Sequence, residues 1–126
     1  MQTSTAQKTI LVVDDEAIIR DFLKEVLEDF HVTVVGDGDE AIAAMSKSQF
    51  DLVITDLRMP KVSGEEVVRD AKARYPQMPV IVISGYSSLY TVSQSVSNGA
   101  CAVLSKPFSI KELLQTVNNA LSGAAA

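Results

Sequence analysis

Five short runs rich in β-branched residues, TILVV, HVTVV, DLVITD, VIVIS and AVLS, recur along the chain, and each is followed by a longer stretch with helical spacing of apolar residues. This alternation constrains the fold more than any other feature. Strands separated by helix-length crossovers run parallel, and a parallel sheet needs helices on both faces. The predicted architecture is therefore α/β, a doubly wound five-stranded parallel sheet flanked by five helices. Ile18, Ile19, Phe22, Leu23, Val26 and Leu27 mark the inner face of the first helix. Asp39 is placed to cap the second, which carries Ala41, Ile42 and Met45. The third spans about Glu65 to Arg74 and stops ahead of Pro76 and Pro79. Leu89, Val92 and Val96 mark the fourth, closed by Asn98 and Gly99. The fifth begins after a Ser109 cap and buries Ile110, Leu113, Leu114, Val117 and Leu121.

The first strand runs straight into three acids, ILVVDDE over residues 10–16. Carboxylates crowded against a buried segment repel one another, and the low dielectric beside a core strengthens the repulsion, so something must compensate. The whole chain does not: its formal charge is −5. That balance also argues against binding a nucleic-acid backbone, which needs a basic face. At 126 residues, 47% hydrophobic and 21% charged, the chain suits one globular domain. Residues 1–7 are expected to be a disordered tail, 8–121 the domain, and 122–126 a frayed end or the start of a linker. No apolar run reaches the ~18 residues of a membrane span, and MQTSTAQ lacks the order of a secretory signal, so a cytoplasmic protein is expected. Cys101 and His31 each stand alone; Cys101 reads as a small buried apolar residue and His31 as structural.

In open α/β sheets ligands bind beyond the carboxyl ends of the strands. Asp14 and Asp15 follow the first strand, Asp56 ends the third, Ser84 ends the fourth and Lys106 follows the fifth. The second ends in Val35 and Gly36, which offer no chemistry, as expected of an edge strand outside the first. Taken singly, each residue has a bland reading: Asp14 and Asp15 as helix caps, Asp56 as a loop acid, Ser84 as a turn residue, Lys106 as a solvated cation. Together they predict one pocket. Three carboxylates there suit Mg²⁺, which takes one or two carboxylates and keeps water or phosphate oxygens as its other ligands. A phosphoryl group then fits between metal and Lys106, with Ser84 donating to it and Asp56 as the nucleophile that forms an acyl phosphate.

With these residues in place, the chain resembles the receiver domain of two-component response regulators from Lys8 to Leu121, through VVDDE, ITDLRMP, Gly64, VISG and SKPF. The resemblance implies a flavodoxin-like fold with strand order 2-1-3-4-5. It implies that Asp56 is phosphorylated and that Asp14 and Asp15 anchor Mg²⁺, directly or through water, with the Arg58 backbone carbonyl completing the protein ligands. Ser84 and Lys106 take the places of the residues that meet the phosphoryl group, and the bond between Lys106 and Pro107 is expected to be cis. The implied partner is a sensor histidine kinase or phosphotransfer protein, with a homodimer through the fourth helix, fifth strand and fifth helix as a further expectation. The domain is then a signalling switch that catalyses its own phosphorylation and dephosphorylation rather than a turnover enzyme.

One departure stands out. Receivers often carry an aromatic residue three positions before that lysine, and this chain has Val103. Tyr86 and Tyr90 are candidates to replace it as movable aromatics, and Tyr86 and Arg58 to control hydrolysis of the acyl phosphate. Three alternatives remain in view: a receiver acting by protein contact alone, a Mg²⁺-dependent aspartyl phosphatase, and a flavin carrier of similar topology. The phosphatase would want a second Asp where Arg58 stands. The flavin carrier would want a neutral phosphate loop where DDE stands.

Overall fold

The computed structural model describes residues 7–59, 61–85 and 89–123, without the side chain of Leu89. Five strands, β1 (Thr9–Val13), β2 (His31–Val35), β3 (Leu52–Asp56), β4 (Val80–Ser84) and β5 (Ala102–Ser105), alternate with five helices. These are α1 (Ala17–Val26), α2 (Gly38–Lys47), α3 (Gly64–Arg74), α4 (Leu89–Ser97) and α5 (Ile110–Ser122). All strand pairs are parallel, in the order β2-β1-β3-β4-β5, the flavodoxin-like arrangement. β2 lies at the edge, as its silent end suggested, with Val13 opposite Val35 on one side and Thr55 on the other.

Alternate strand residues feed two cores. Leu11, Val13, Val53, Val80 and Val82 pack with Ala41 and Met45 of α2 and with Val67, Val68 and Ala71 of α3. Ile10, Val12, Ile54, Ile81 and Ile83 pack with Leu23 and Leu27 at α1 and with Leu113, Val117 and Ala120 of α5. Each fully buried Leu or Ile contributes about 1.5–3 kcal/mol. This two-sided burial explains why β1, β3 and β4 are apolar along almost their whole length.

The helices depart from expectation in instructive places. Ile18 is 81% exposed: it stands roughly 140° around the helix from Leu23, off the inner stripe. Ile110, on the right face of α5, is 51% exposed because it lies one turn short of Leu113, the first residue the sheet covers. Among the described side chains of α4 the buried one is Ser95, and Val96 is 54% exposed. Cys101 is only half-buried, at the margin of the α1/α5 core. The cap of α2 is Asp37, whose carboxylate accepts from the Asp39 N–H, and not Asp39. Ser109 does cap α5, in a reciprocal box with Glu112. The Lys106–Pro107 peptide is cis, as expected.

Candidate functional site

β1 and β3 end side by side, β5 ends on the far side of β4, and the residues at or just past these three ends meet at one rim. Carboxylate oxygens of Asp14, Asp15 and Asp56 lie within 4.8 Å of one another. The Lys106 Nζ enters from the β5 side, 3.6 Å from Asp14 Oδ2, 3.6 Å from Asp56 Oδ2 and 3.4 Å from Glu16 Oε1. Above them opens a bowl of about 410 Å³ lined by Asp15, Glu16, Asp56, Arg58, Gly85 and Lys106. Asp14 lies beneath it, 1% exposed.

Local geometry explains how acids are held there. Asp14 Oδ1 accepts the Glu16 N–H at 2.9 Å, the start of the turn into α1. Its Oδ2 is buried and accepts no hydrogen bond among the described residues. Asp56 closes β3 opposite Ile83, and the Thr55 hydroxyl donates to its carbonyl at 2.9 Å. Gly64, the first residue of α3, presses on the same backbone: a Cβ there would collide with the Asp56 carbonyl oxygen and stand 2.7 Å from the Leu57 Cα. What the site needs from Gly64 is its missing volume and not a left-handed backbone, since the left-handed glycines among the described residues are Gly99 and Gly123.

Burial is the main reason that Asp14 and Asp56 titrate above the ordinary carboxylate value. For Asp56 the neighbouring Asp14 charge adds to it, while Lys106 and the backbone N–H groups of Leu57 and Arg58 pull the other way. Burial by itself would depress Lys106, yet Asp56, Asp14 and Glu16 together outweigh it and raise the lysine. The two directions are compatible: the lysine answers to several anions, whereas each acid meets one cation, other acids and a core. The acids are thus under-compensated by the protein's own charges. A buried orphan oxygen beside two further carboxylates is the donor set that a hard divalent cation satisfies.

Ser84, buried at the end of β4 and paired in register with Ser105, lines a second cavity of about 190 Å³ with Leu57, Arg58, Glu65, Tyr90, Thr91, Gln94 and Ser95. Arg58 borders both cavities. Tyr90 is 73% exposed on α4, Val103 is half-buried against the α2/α3 core, and Tyr86 lies outside the described residues. Asp14, Asp15, Asp56, Arg58 and Lys106 therefore meet at one end of the sheet, whereas Ser84, at the same end, opens on the adjoining cavity and not on the single pocket that was expected. Sequence reasoning passed over Glu16 as a partner of Lys106. It also passed over Arg20, whose Nη1 donates to the Asp14 carbonyl at 2.7 Å.

Residues 10–118 match the response regulator receiver domain family. Over 120 residues the chain is 35% identical to the hydrogenase transcriptional regulatory protein HoxA of Cupriavidus necator, covering 94% of this chain and 25% of that protein. It is 33% identical to the DNA-binding transcriptional regulator NtrC of Salmonella typhimurium, covering 90% of this chain and 24% of that one. The chain thus spans about a quarter of the length of these curated relatives. Among solved structures, the chemotaxis protein CheY4 of Vibrio cholerae superposes with a TM-score of 0.87 at 32% identity, covering 92% of this chain and all of that one. Among the described residues, no helix is long and apolar enough to cross a membrane.

Proposed function

The chain belongs to the response regulator receiver domain family, and on that premise we propose that Asp56 accepts a phosphoryl group from a phosphohistidine of a sensor kinase or phosphotransfer protein. One Asp56 carboxylate oxygen attacks phosphorus in line with the donor nitrogen; the P–O bond forms as the P–N bond breaks, and the imidazole leaves with its electron pair. Asp14, Asp15, Asp56 and the Arg58 backbone carbonyl are the groups that would hold Mg²⁺, which supplies neutralisation of the charge that phosphoryl oxygens bring into an acidic bowl.

Lys106 has a second task. Its ammonium is shared among three carboxylates at 3.4–3.6 Å, so it can follow the negative charge from Asp56 Oδ2 to a phosphoryl oxygen with little movement. The Ser84 hydroxyl, at the end of the adjacent strand, is the donor for another phosphoryl oxygen. Hydrolysis of the acyl phosphate resets the switch. Between those events the modified state changes how α4, β5 and α5 engage a partner or a second copy.

The observation that carries this reading is the placement of Asp56 among two other carboxylates and one ammonium at the carboxyl end of the sheet. Incubation with acetyl phosphate or phosphoramidate and Mg²⁺, followed by intact mass, tests it. A single phosphoryl adduct is expected, absent in Asp56→Asn and absent when EDTA replaces Mg²⁺. An unmodified parent chain would leave a receiver that acts by protein contact alone.

A further inference from the structure

Arg20 leaves the second turn of α1 and reaches the end of β1, where its Nη1 donates to the Asp14 carbonyl at 2.7 Å. The guanidinium occupies space beside Gly36, the residue after β2. A Cβ on Gly36 would stand 3.1 Å from Nη1 and 3.7 Å from Cζ. Glu40 of α2 closes the same corner, its Oε1 accepting the Gly36 N–H at 2.8 Å. The end of β2 carries no reactive side chain, yet the volume it leaves free is what the arginine uses.

Asp14 is thereby fixed at three atoms. Its N–H donates to the Val35 carbonyl at 3.2 Å, its carbonyl accepts from Arg20, and its Oδ1 accepts from the Glu16 N–H. Only Oδ2 is left over, 3.6 Å from the Lys106 Nζ that also stands 3.6 Å from Asp56 Oδ2. A donor that is ionised makes a stronger bond to a carbonyl than a neutral one, and partners behind a ligating group set the group's aim.

We propose that Arg20 is a positioning residue for the cation site: by pinning the Asp14 carbonyl in the gap that Gly36 leaves, it aims Oδ2 into the acidic pocket without touching metal or phosphoryl group. This rests on the Mg²⁺ reading of that pocket. An arginine that merely stitched α1 to the sheet would affect unfolding and leave metal affinity alone.

Two measurements on the whole chain separate these roles: the Mg²⁺ dissociation constant by calorimetric titration, and the urea midpoint in EDTA. Arg20→Ala is expected to weaken Mg²⁺ binding about tenfold, the low end of what loss of such a partner costs. Arg20→Lys, which keeps one charged donor, should recover affinity to within about threefold of the parent. Gly36→Ala crowds the guanidinium and should weaken binding by about twofold to threefold. If Arg20→Ala does not fold, Gly36→Ala decides, since its backbone is unstrained. Parental Mg²⁺ affinity in folded Arg20→Ala, or failing that in Gly36→Ala, overturns the inference, as does a lysine variant that recovers nothing. A parent chain that takes up no Mg²⁺ overturns the metal reading and this one together; a parent that binds beside an alanine variant that binds equally overturns this one alone.

Discussion

At the rim where β1, β3 and β5 end, the backbone that carries Asp14 and Asp56 is held by specific contacts. Asp14 is held from β2, α1 and its own turn, and Asp56 is wedged between the Thr55 hydroxyl and the bare face of Gly64. One helix away, α4 has neither an acid in its first turn nor a base in its last to answer its dipole, and it buries a serine where a core residue would be expected. The Ser95 hydroxyl has no hydrogen-bond partner among the described residues. Both regions carry a cost, of different kinds. The rim concentrates like charge in a fixed frame, whereas α4 combines desolvation with thin packing, beside a β5 that carries Val103 in place of a larger ring. Among the described side chains of α4 none that is apolar is buried, and an element held in this way is the cheaper one to displace, so any rearrangement is expected to fall on α4 before the rim.

The strongest test of the rim's rigidity is Gly64→Ala. The added methyl meets backbone, the Asp56 carbonyl and Leu57 Cα, and neither can swing aside as a flexible side chain would. Overpacking of this kind costs about 1–3 kcal/mol. Urea unfolding should show that loss, and acetyl phosphate labelling should slow with it because Asp56 shares the displaced backbone. An alanine variant with parental stability and labelling would mean that the rim yields as easily as α4, and the contrast would be gone.

How far these two regions could be read in advance follows from what kind of contact builds each. Asp14, Asp15, Asp56, Ser84 and Lys106 were legible because each stands at a strand end, and strand ends are visible as the places where β-branched runs stop. The five-strand alternation was legible for the same reason. Arg20 and Gly36 were not, because the arginine's partner is a backbone carbonyl and the glycine's contribution is empty space, and neither has a signature in residue type. Ile18, Val96 and Ile110 misled because apolar periodicity describes a helix and does not say where the sheet beneath it begins. Ser95 is the buried one among the described side chains of α4, and an apolar pattern gives no sign of a buried serine.

An intermediate effect separates the two costs by pH. Burial raises Asp14 and Asp56 above the ordinary 3.8, so the folded state binds their protons more tightly than the unfolded chain does. Stability from these groups is therefore full below that value and is lost as pH rises through their raised values. In EDTA, the urea midpoint of the parent should fall between about pH 4 and pH 7. Asp14→Asn should flatten that fall and exceed the parent at neutral pH, and Mg²⁺ should stabilise the parent more than the variant. Lys106, raised by its anions, contributes stability at neutral pH and loses it only in strong base, so it does not mask this window. A metal-free parent that gains stability from pH 4 to 7 would contradict the account of an under-compensated rim.

The smallest effect is expected at Ser95→Ala, and it should behave oppositely in every variable that moves the rim. The hydroxyl is 2% exposed and has no partner among the described residues, so its removal relieves a desolvation cost, and alanine is the better helix former. Lost contacts of the oxygen offset part of this, leaving a gain of up to about 1 kcal/mol in urea unfolding. Because no ionisable group is removed, that gain should be the same at pH 4 and pH 7 and with or without Mg²⁺. A destabilised Ser95→Ala would show that the hydroxyl is satisfied in solution, and α4 would then be held as firmly as the rim. A gain that grew on adding Mg²⁺ would instead tie the serine to the acidic pocket through the cavity it shares with Ser84 and Arg58. A uniform gain keeps the two costs independent, one electrostatic and answerable by a cation, the other built into the packing of a single helix.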